Sequence, residues 1–519
     1  MNFKYFFLII FSLLLISQSS FAQRKKERIK LIETGENGAL EKVKRGGKSV
    51  QKISGSNVIF QQENTFYYTK EAYFDKKNNQ LEAIGNVRIV SDSINITGNQ
   101  LFYDGKTKVA KLRGNVVLVD KQMTLYTDNL DYNIANNTAD YFGGGRILDN
   151  GNVLTSKNGF YNKAEHFFHF TNDVKLVSSD ATLYSNDLTY DLDSKIAKTK
   201  GETTIIGKDG EKSISQDVTH NTATKSSIFT KQKGITEDYV LTGEKTFNDE
   251  IRKFSKANIN VTLTIRKDSI TVMGDFGTYD KMAGIAKVWG NVLVLSKMQQ
   301  DTMFLTADTL VAIDEQDNAK DKLLAYNNVK IFKSDLQGKC DSLVYNTGDS
   351  TILLYFDPIL WAEESQLKAD SINLKLNNKK IERLYMVENS FMITEDSIHN
   401  FNQLKGRDMT AYFKESKLHR VDVNGNGESI YFMLDEKDSV LLAMNKVICS
   451  DMVIRFAENN KIDRVSFINT PDGALIPPHE IEEPEKRLKG FRWRIEERPE
   501  REELIGIRKK GVLVSEKNR

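Results

Sequence analysis

The sequence predicts an all-β protein, a long two-sheet β-structure made of repeats of about 29 residues. Three observations carry this. Phe74, Tyr103, Tyr132, Tyr161 and Tyr190 are each 29 residues apart, and each is followed by Asp or Asn. Within a copy the apolar residues alternate with polar ones, the period of a strand with one buried face. Of the six prolines only Pro358 lies inside the repeats, as expected where central strands exclude proline.

The chain opens on a segment of another kind. Lys4 precedes an apolar run from Tyr5 to Ile16, and Ser20-Phe21-Ala22 fits a small-x-small cleavage site. Residues 1–22 read as a signal peptide, too short in its apolar run for a comfortable membrane span. The rest of the chain is therefore expected to be exported to the periplasm. Residues 23–55, which include Arg24-Lys25-Lys26, are expected to be flexible.

The repeats occupy residues 56–350 and continue in degenerate form over 351–470. In the second copy Leu101 and Tyr103 share a face, and Asp104-Gly105-Lys106 signals a turn. Ala110 and Leu112 follow on the same face, then Gly114-Asn115, then Val116 and Leu118. Asp120-Lys121 makes a second turn before Met123 and Leu125. Other copies fill the same places with Leu81, Ala83, Val87 and Ile89, with Phe168, Phe170, Val174 and Leu176, and with Ala286, Val288, Val292 and Val294. Glu82, Arg88, Lys111, Lys175 and Lys287 take the opposite face. Eleven residues after each aromatic stands Gly85, Gly114, Gly143, Asn172 or Gly201. A glycine inside a strand marks a bend, so each long strand can fold into two facing sheets. A unit apolar on one face must stack on its neighbours. The pattern is lost over residues 205–275, returns at Tyr279-Asp280 and Tyr345-Asn346, and drifts near Tyr412 and Arg455.

Proline marks the end of the array: Pro471, Pro477, Pro478, Pro484 and Pro499 all follow it, and 21 of the last 39 residues are charged. Residues 471–519 read as a solvated helix or a disordered tail. The strand edge near residues 57–74, with Phe66-Tyr67-Tyr68, is expected to accept another β-domain by strand addition.

Copies such as LFYDGKTKVAKLRGNVVLVDKQMTLYTDNLDYN, together with AIGNVRIV and VWGNVLVLSKMQQDTMFLTADTL, resemble the OstA/LptA-like family, the periplasmic lipopolysaccharide transport bridge. The resemblance implies an elongated, V-shaped two-sheet β-jellyroll, the β-taco, that holds lipid acyl chains between its sheets. It implies lipopolysaccharide or a related glycolipid as cargo. It also implies partnership with the β-domains of inner- and outer-membrane transport components, and head-to-tail self-association. On this reading the groove is lined by Val87, Ile89, Leu101, Val116, Leu118, Leu125, Phe170, Val174, Leu176, Val292 and Val294.

Composition supports no other class. Seventy-three basic residues against 71 acidic ones give no footprint for nucleic acid. Two cysteines make no disulfide scaffold, and Cys340 and Cys449 are separated by at least two copies, beyond bonding reach. His166 and His169 are three apart on a strand and so on opposite faces. The Tyr-Asp pairs fit a lining residue and a turn residue better than an acid/base pair. No enzyme and no cofactor is expected. A structural or adhesive β-solenoid without lipid cargo is the alternative, distinguished by a core that is packed shut.

Overall fold

A computed structural model describes residues 27–508 apart from residues 122, 150, 238, 268, 298–300, 315–320, 378–379, 415–416, 436, 438 and 458–461. The chain forms two compact units, Met1–Asp193 and Ser194–Arg519. The signal segment lies outside the described residues. Both units are antiparallel β-structure in which each strand pairs with the next by short turns. A twelve-residue strand (Gln80–Ser91), a two-residue turn, an eleven-residue strand (Ile94–Asp104) and a four-residue turn make up the 29-residue period.

Every second strand is broken in its middle, most often by a two-residue left-handed corner. Gly85-Asn86, Gly114-Asn115, Gly143-Gly144, Asn172-Asp173, Gly290-Asn291, Asn327-Asn328 and Gly425-Asn426 all have positive φ. Glycine carries no steric penalty there, and Asn and Asp are the side chains that best tolerate it. The register slips at each corner, for instance between Ile84 and Val87 against the neighbouring strand. The two halves of each strand then turn to face one another. Gly98 in one half-sheet lies where a Cβ would touch Leu112 and Val116, each at 3.5 Å. The single proline of the array obeys the same geometry: Pro358 directly follows the left-handed pair Phe356-Asp357, between the strands Thr351–Tyr355 and Ile359–Ala362.

The aromatic period becomes a rung. In the first unit Leu81, Tyr103, Ala110, Tyr132, Ala139, Tyr161, Phe168 and Tyr190 are successive cross-strand neighbours. Small alanines alternate with Tyr103, Tyr132 and Tyr161, so these rings fit one per two strands, and at the end of the rung Phe168 stacks on Tyr161 with centroids 4.4 Å apart. The following Asp or Asn serves the turn. Asp104 Oδ1 accepts from the amides of Lys106 and Thr107, and Asn133 and Asn162 do the same two and three residues on. The Tyr-Asp pair is thus a lining residue beside a turn residue. In the second unit Tyr279, Tyr345 and Leu374 keep to this rung. Near Tyr412 the drift is one residue: Ala411 and Ile454 point inward, while Tyr412 points out between Arg383 and Arg420. A slip of one residue exchanges the faces.

Both ends differ from the sequence expectation. Residues 23–55 do not form a flexible leader where they are described. Lys30–Glu33 and Ala39–Arg45 pair with the strand Lys48–Gln62, which pairs on its other side with Thr65–Asp75. The edge near residues 57–74 is therefore already covered by this chain, and Tyr68 lies between two neighbours rather than at a docking edge.

The C-terminal tail has a defined path up to residue 508 and ends in a helix over residues 501–508, with most of its residues exposed. It straps the outer face of one half-sheet of the second unit. Gln337, Gln366 and Gln403 stand on a single outer rung, linked through Trp361 and Ile393. Gln403 donates to the Lys486 carbonyl and accepts from the Leu488 amide; Gln366 does the same with Arg492 and Arg494. These two glutamine amides thus pair with the tail as a neighbouring strand would, while Gln337 accepts from the Arg498 guanidinium. Beneath the strap Leu488 packs with Phe391, Ile393, Ile430, Phe432 and Met444, and Leu504 packs with Leu293 and Phe304. Arg494 is buried, bonded to Glu497 and Asp357. Arg494 and then Lys339 hold the Glu497 carboxyl down to about 2. The charges that suggested solvation are the tail's fastenings.

Two outcomes follow. Gly85→Ala meets no atom within 4 Å, so it should cost only the left-handed strain of about 1 kcal/mol, read as faster amide exchange over residues 80–104. Asn115→Gly should change exchange by a few tenths of a kcal/mol at most. In the strap, the depressed Glu497 carboxyl contributes fully above its ordinary range, and the contribution is lost as pH falls toward 2. Glu497→Gln should therefore loosen the strap at neutral pH, with tryptic cleavage at Arg494 and Arg501 several-fold faster than in the parent.

Candidate functional site: the faces between the half-sheets

The inward positions are the ones the alternation predicts. Phe60, Tyr67, Ile89, Ile96, Leu118, Leu125, Ile147, Leu154, Leu176 and Leu183 form one inner rung of the first unit. Val87, Leu101, Val116, Phe170 and Val174 also lie between the half-sheets, all within 2% exposure. Val292 and Val294 are inward in the second unit and buried. Leu176 keeps to its rung but is half-buried. Lys175 points out, its ammonium 5.6 Å from the Tyr184 ring.

In the first unit the two half-sheets close on each other at their free rims as well as at their corners. Tyr103 Oη donates to Gln62 Oε1 at 2.8 Å, and Gln62 Nε2 donates to the Gly105 carbonyl at 2.9 Å. Lys108 Nζ meets Glu63 at 2.6 Å. Farther along, Tyr161 Oη donates to Asp120 Oδ2 at 3.0 Å and Lys163 Nζ to Ser93 Oγ at 2.9 Å. Burial pushes the Tyr103 hydroxyl up to about 12, so it stays a donor. The tyrosines that sequence reading made lining residues are also the rim's seal. The predicted residues of this unit are packed core.

The second unit is different along the same rung. Tyr279 is 42% exposed, where its first-unit counterparts Tyr103 and Tyr132 are 1% exposed. Leu323, Tyr345 and Ile352 are half-buried against the apolar cluster that runs through Val294, Leu305, Leu343 and Leu354. On the facing half-sheet Leu263, Ile270 and Ile331 are half-buried against the same cluster. These apolar side chains line an inner face that solvent reaches. Sequence reading missed them because they follow or flank the stretch where the 29-residue pattern lapses. Continuing the alternation back from Val292 and Val294 across the turn to Val272 and Ile270 would have found part of the set.

The lapse itself has a structure. Over residues 196–258 polar side chains enter the inner face: Thr199, Thr203, Ser213, Ser215, His220, Ser227, Thr246, Asn248 and Ser255 share it with Ala197, Ile205, Val218, Phe229, Leu241 and Ala257. The polar ones bond to each other: Thr203 Oγ1 to Thr199 Oγ1 at 2.7 Å, Gln232 Nε2 to Ser213 Oγ at 2.8 Å, Ser255 Oγ to Asn248 Oδ1 at 2.9 Å. Thr246 also donates to Gln232, and His220 Nδ1 lies 2.9 Å from Ser227 Oγ. Burial lowers the His220 pKa. Cys340 and Cys449 are buried free thiols, and burial pushes Cys340 up to about 12. His169 bonds Asp187 and His166 bonds Asp193. Among the described residues no group of three or more His, Cys, Asp or Glu is placed to hold a metal ion. No helix among them is long and apolar enough to cross a membrane.

Comparison with known proteins agrees with this architecture. Residues 30–186 match the family described as OstA-like protein. Residues 271–380 match the LptA/(LptD N-terminal domain) LPS transport protein family. Among solved structures the chain is similar to LptH, the LptA homologous periplasmic component of the lipopolysaccharide transport device of Pseudomonas aeruginosa. That likeness is 14% identical, covers 23% of this chain and 82% of that one, and has a TM-score of 0.20. No curated protein matches the chain. The two family matches together span just over half of the residues, and both fall on the cornered strands with inward apolar rungs. Residues 30–186 are thus a segment of OstA-like type and residues 271–380 one of LptA/(LptD N-terminal domain) type.

Proposed function

We propose that this protein is a periplasmic carrier that holds lipopolysaccharide or a related glycolipid by its acyl chains between two half-sheets and passes it toward the outer membrane. One observation carries the reading: in the second unit an apolar inner face is open to solvent along Tyr279, Leu323, Tyr345 and Ile352. Solvent-exposed apolar side chains arranged in a line between two sheets suit an acyl chain, which gains about 0.8 kcal/mol for each CH₂ removed from water. The family match supports the cargo class. The inward side chains carry out no chemistry in this reading; they hold and release. Partners by strand addition would meet the outer edges of Lys30–Glu33 and Ala39–Arg45 in the first unit, since residues 57–74 are internal.

A scaffold reading fits the first unit by itself. Its inner rungs are buried up to Phe170, with Leu176 and Tyr190 half-buried at its end, and its rims are stitched by hydrogen bonds. That unit then serves as a closed β-stack that spaces or docks the open one. The closed core should show itself as stability: Leu118→Ala should cost about 2–5 kcal/mol by leaving a cavity, measured by amide exchange over residues 94–133.

The carrier reading is tested by native mass spectrometry of the full chain purified from its own envelope. Glycolipid should accompany it. Leu323→Glu and Ile352→Glu, at half-exposed places that tolerate the change, should retain the circular dichroism of the parent. Their bound glycolipid should fall about tenfold, the equivalent of 1.4 kcal/mol. Parent protein free of glycolipid in the envelope, and unable to take it up when mixed with it, would rule the reading out.

A further inference from the structure

We infer that the acyl-binding face of the second unit is bounded: it begins at Leu263 and extends C-terminally, and the strands between residues 196 and 258 form a polar belt that acyl chains do not enter. This rests on the carrier reading and refines it.

Three observations point to the belt. The first is composition at inward places. The near-corner rung changes from Thr203 and Ser215 to Val261, Val292, Ala307 and Val329. The free-rim rung changes from His220, Ser227, Asn248 and Ser255 to Leu323, Tyr345 and Ile352. The second is that the belt's groups are occupied with one another. Thr203 donates to Thr199 and also to the Gly201 carbonyl, and Ser215 donates to the carbonyls of Asp217 and Thr230. Val218, Phe229 and Ala257 keep part of the face apolar, but a methylene placed among the hydroxyls would strip them of partners, the costly case for buried polar groups. The third is mechanical. Thr199 and Thr246 lie in one half-sheet, while Thr203 and Gln232 lie in the other, and the bonds Thr203 to Thr199 and Thr246 to Gln232 run between them. These bonds pin the half-sheets together near their corners. In the apolar stretch next to the belt Val272, Val292, Val294, Leu310 and Ala325 meet by van der Waals contact, and a hydroxyl pin recurs farther on, from Ser390 Oγ to the Met386 carbonyl. The van der Waals contacts can part around a chain without leaving a polar group unpaired.

The belt gives the bound lipid a direction. Acyl chains lie against the apolar face from Leu263 onward. A chain sliding toward residue 258 loses apolar contact and stops.

Photo-crosslinking tests this with the full chain and purified lipopolysaccharide. A photoreactive phenylalanine analogue replaces Leu263, Leu323 or Ile352 in the apolar stretch, Ser213 or Ser227 in the belt, and Leu118 in the closed first unit. Circular dichroism screens each variant for folding. Capture at residues 263, 323 and 352 at least fivefold above that at 213 and 227 is the expected result. Capture at 213 and 227 equal to that at 323 overturns the belt while leaving the carrier reading intact. Lack of capture at all six positions overturns the carrier reading, and the belt's role with it. A second variant keeps the test independent of local disruption. Thr203→Val with Thr246→Val, which removes the two pinning hydroxyls at near-constant volume, should raise capture at residue 227 at least threefold. No rise, in a folded variant that still captures at 323, also overturns the belt.

Discussion

The left-handed corner is the constraint on which the rest depends. A strand of about a dozen residues buried on one face has no partner for that face unless something packs against it. Two consecutive residues with positive φ let the strand supply the partner itself. They turn its second half to face its first and shift the register against both neighbours. The positive φ explains the Gly-Asn pairs, since glycine and asparagine are the residues that bear that backbone at least cost. Once each corner is set, neighbouring strands must bend at the same level to keep their hydrogen bonds, and the inward rungs line up.

Closure is then decided at the opposite rim. In the first unit the tyrosine rung carries hydroxyls long enough to reach the facing half-sheet, where Gln62 and Asp120 accept them. Alanines between the tyrosines leave room for the rings. In the second unit the same rung holds Tyr279 and Tyr345 among Ala286, Ala312, Leu323 and Ile352, the last four too short or too apolar to bridge the rims, and the face stays accessible. The same fold therefore yields a sealed stack or an open lining according to whether the side chains of one rung meet acceptors across the rim.

The strap shows how an outer face can be covered without another sheet. Gln337, Gln366 and Gln403 offer amide groups in the place of a neighbouring backbone, and the tail's own peptide groups answer two of them. Under it Phe391, Ile393, Ile430, Phe432 and Met444 pack with the tail's Leu488, and Trp361, between Gln337 and Gln366 on the outer rung, is 1% exposed. A charged, proline-bearing sequence serves well here. Pro477 and Pro478 end the last strand, and the charges pair with Lys330, Lys339, Asp357 and Asp275.

Much was fixed by local chemistry and so was legible in the sequence. Period-two alternation identified Val87, Ile89, Val116, Leu118 and Val174 as inward, because a strand has only two faces. The glycines marked the corners and Asp104 the turn, because few residues accept those backbones. What tertiary structure alone decided were relations between residues far apart in the chain. Whether the inner faces touch or stand open depends on Tyr103 meeting Gln62 across the rim, and nothing in either strand encodes the distance between them. Lys30–Glu33 pairs with the strand that looked like a free edge, and Leu504 finds Leu293 and Phe304 through a charged segment that looked solvated. Those contacts join segments from about 30 to more than 200 residues apart, where periodicity carries no information and only the packed fold brings the partners together.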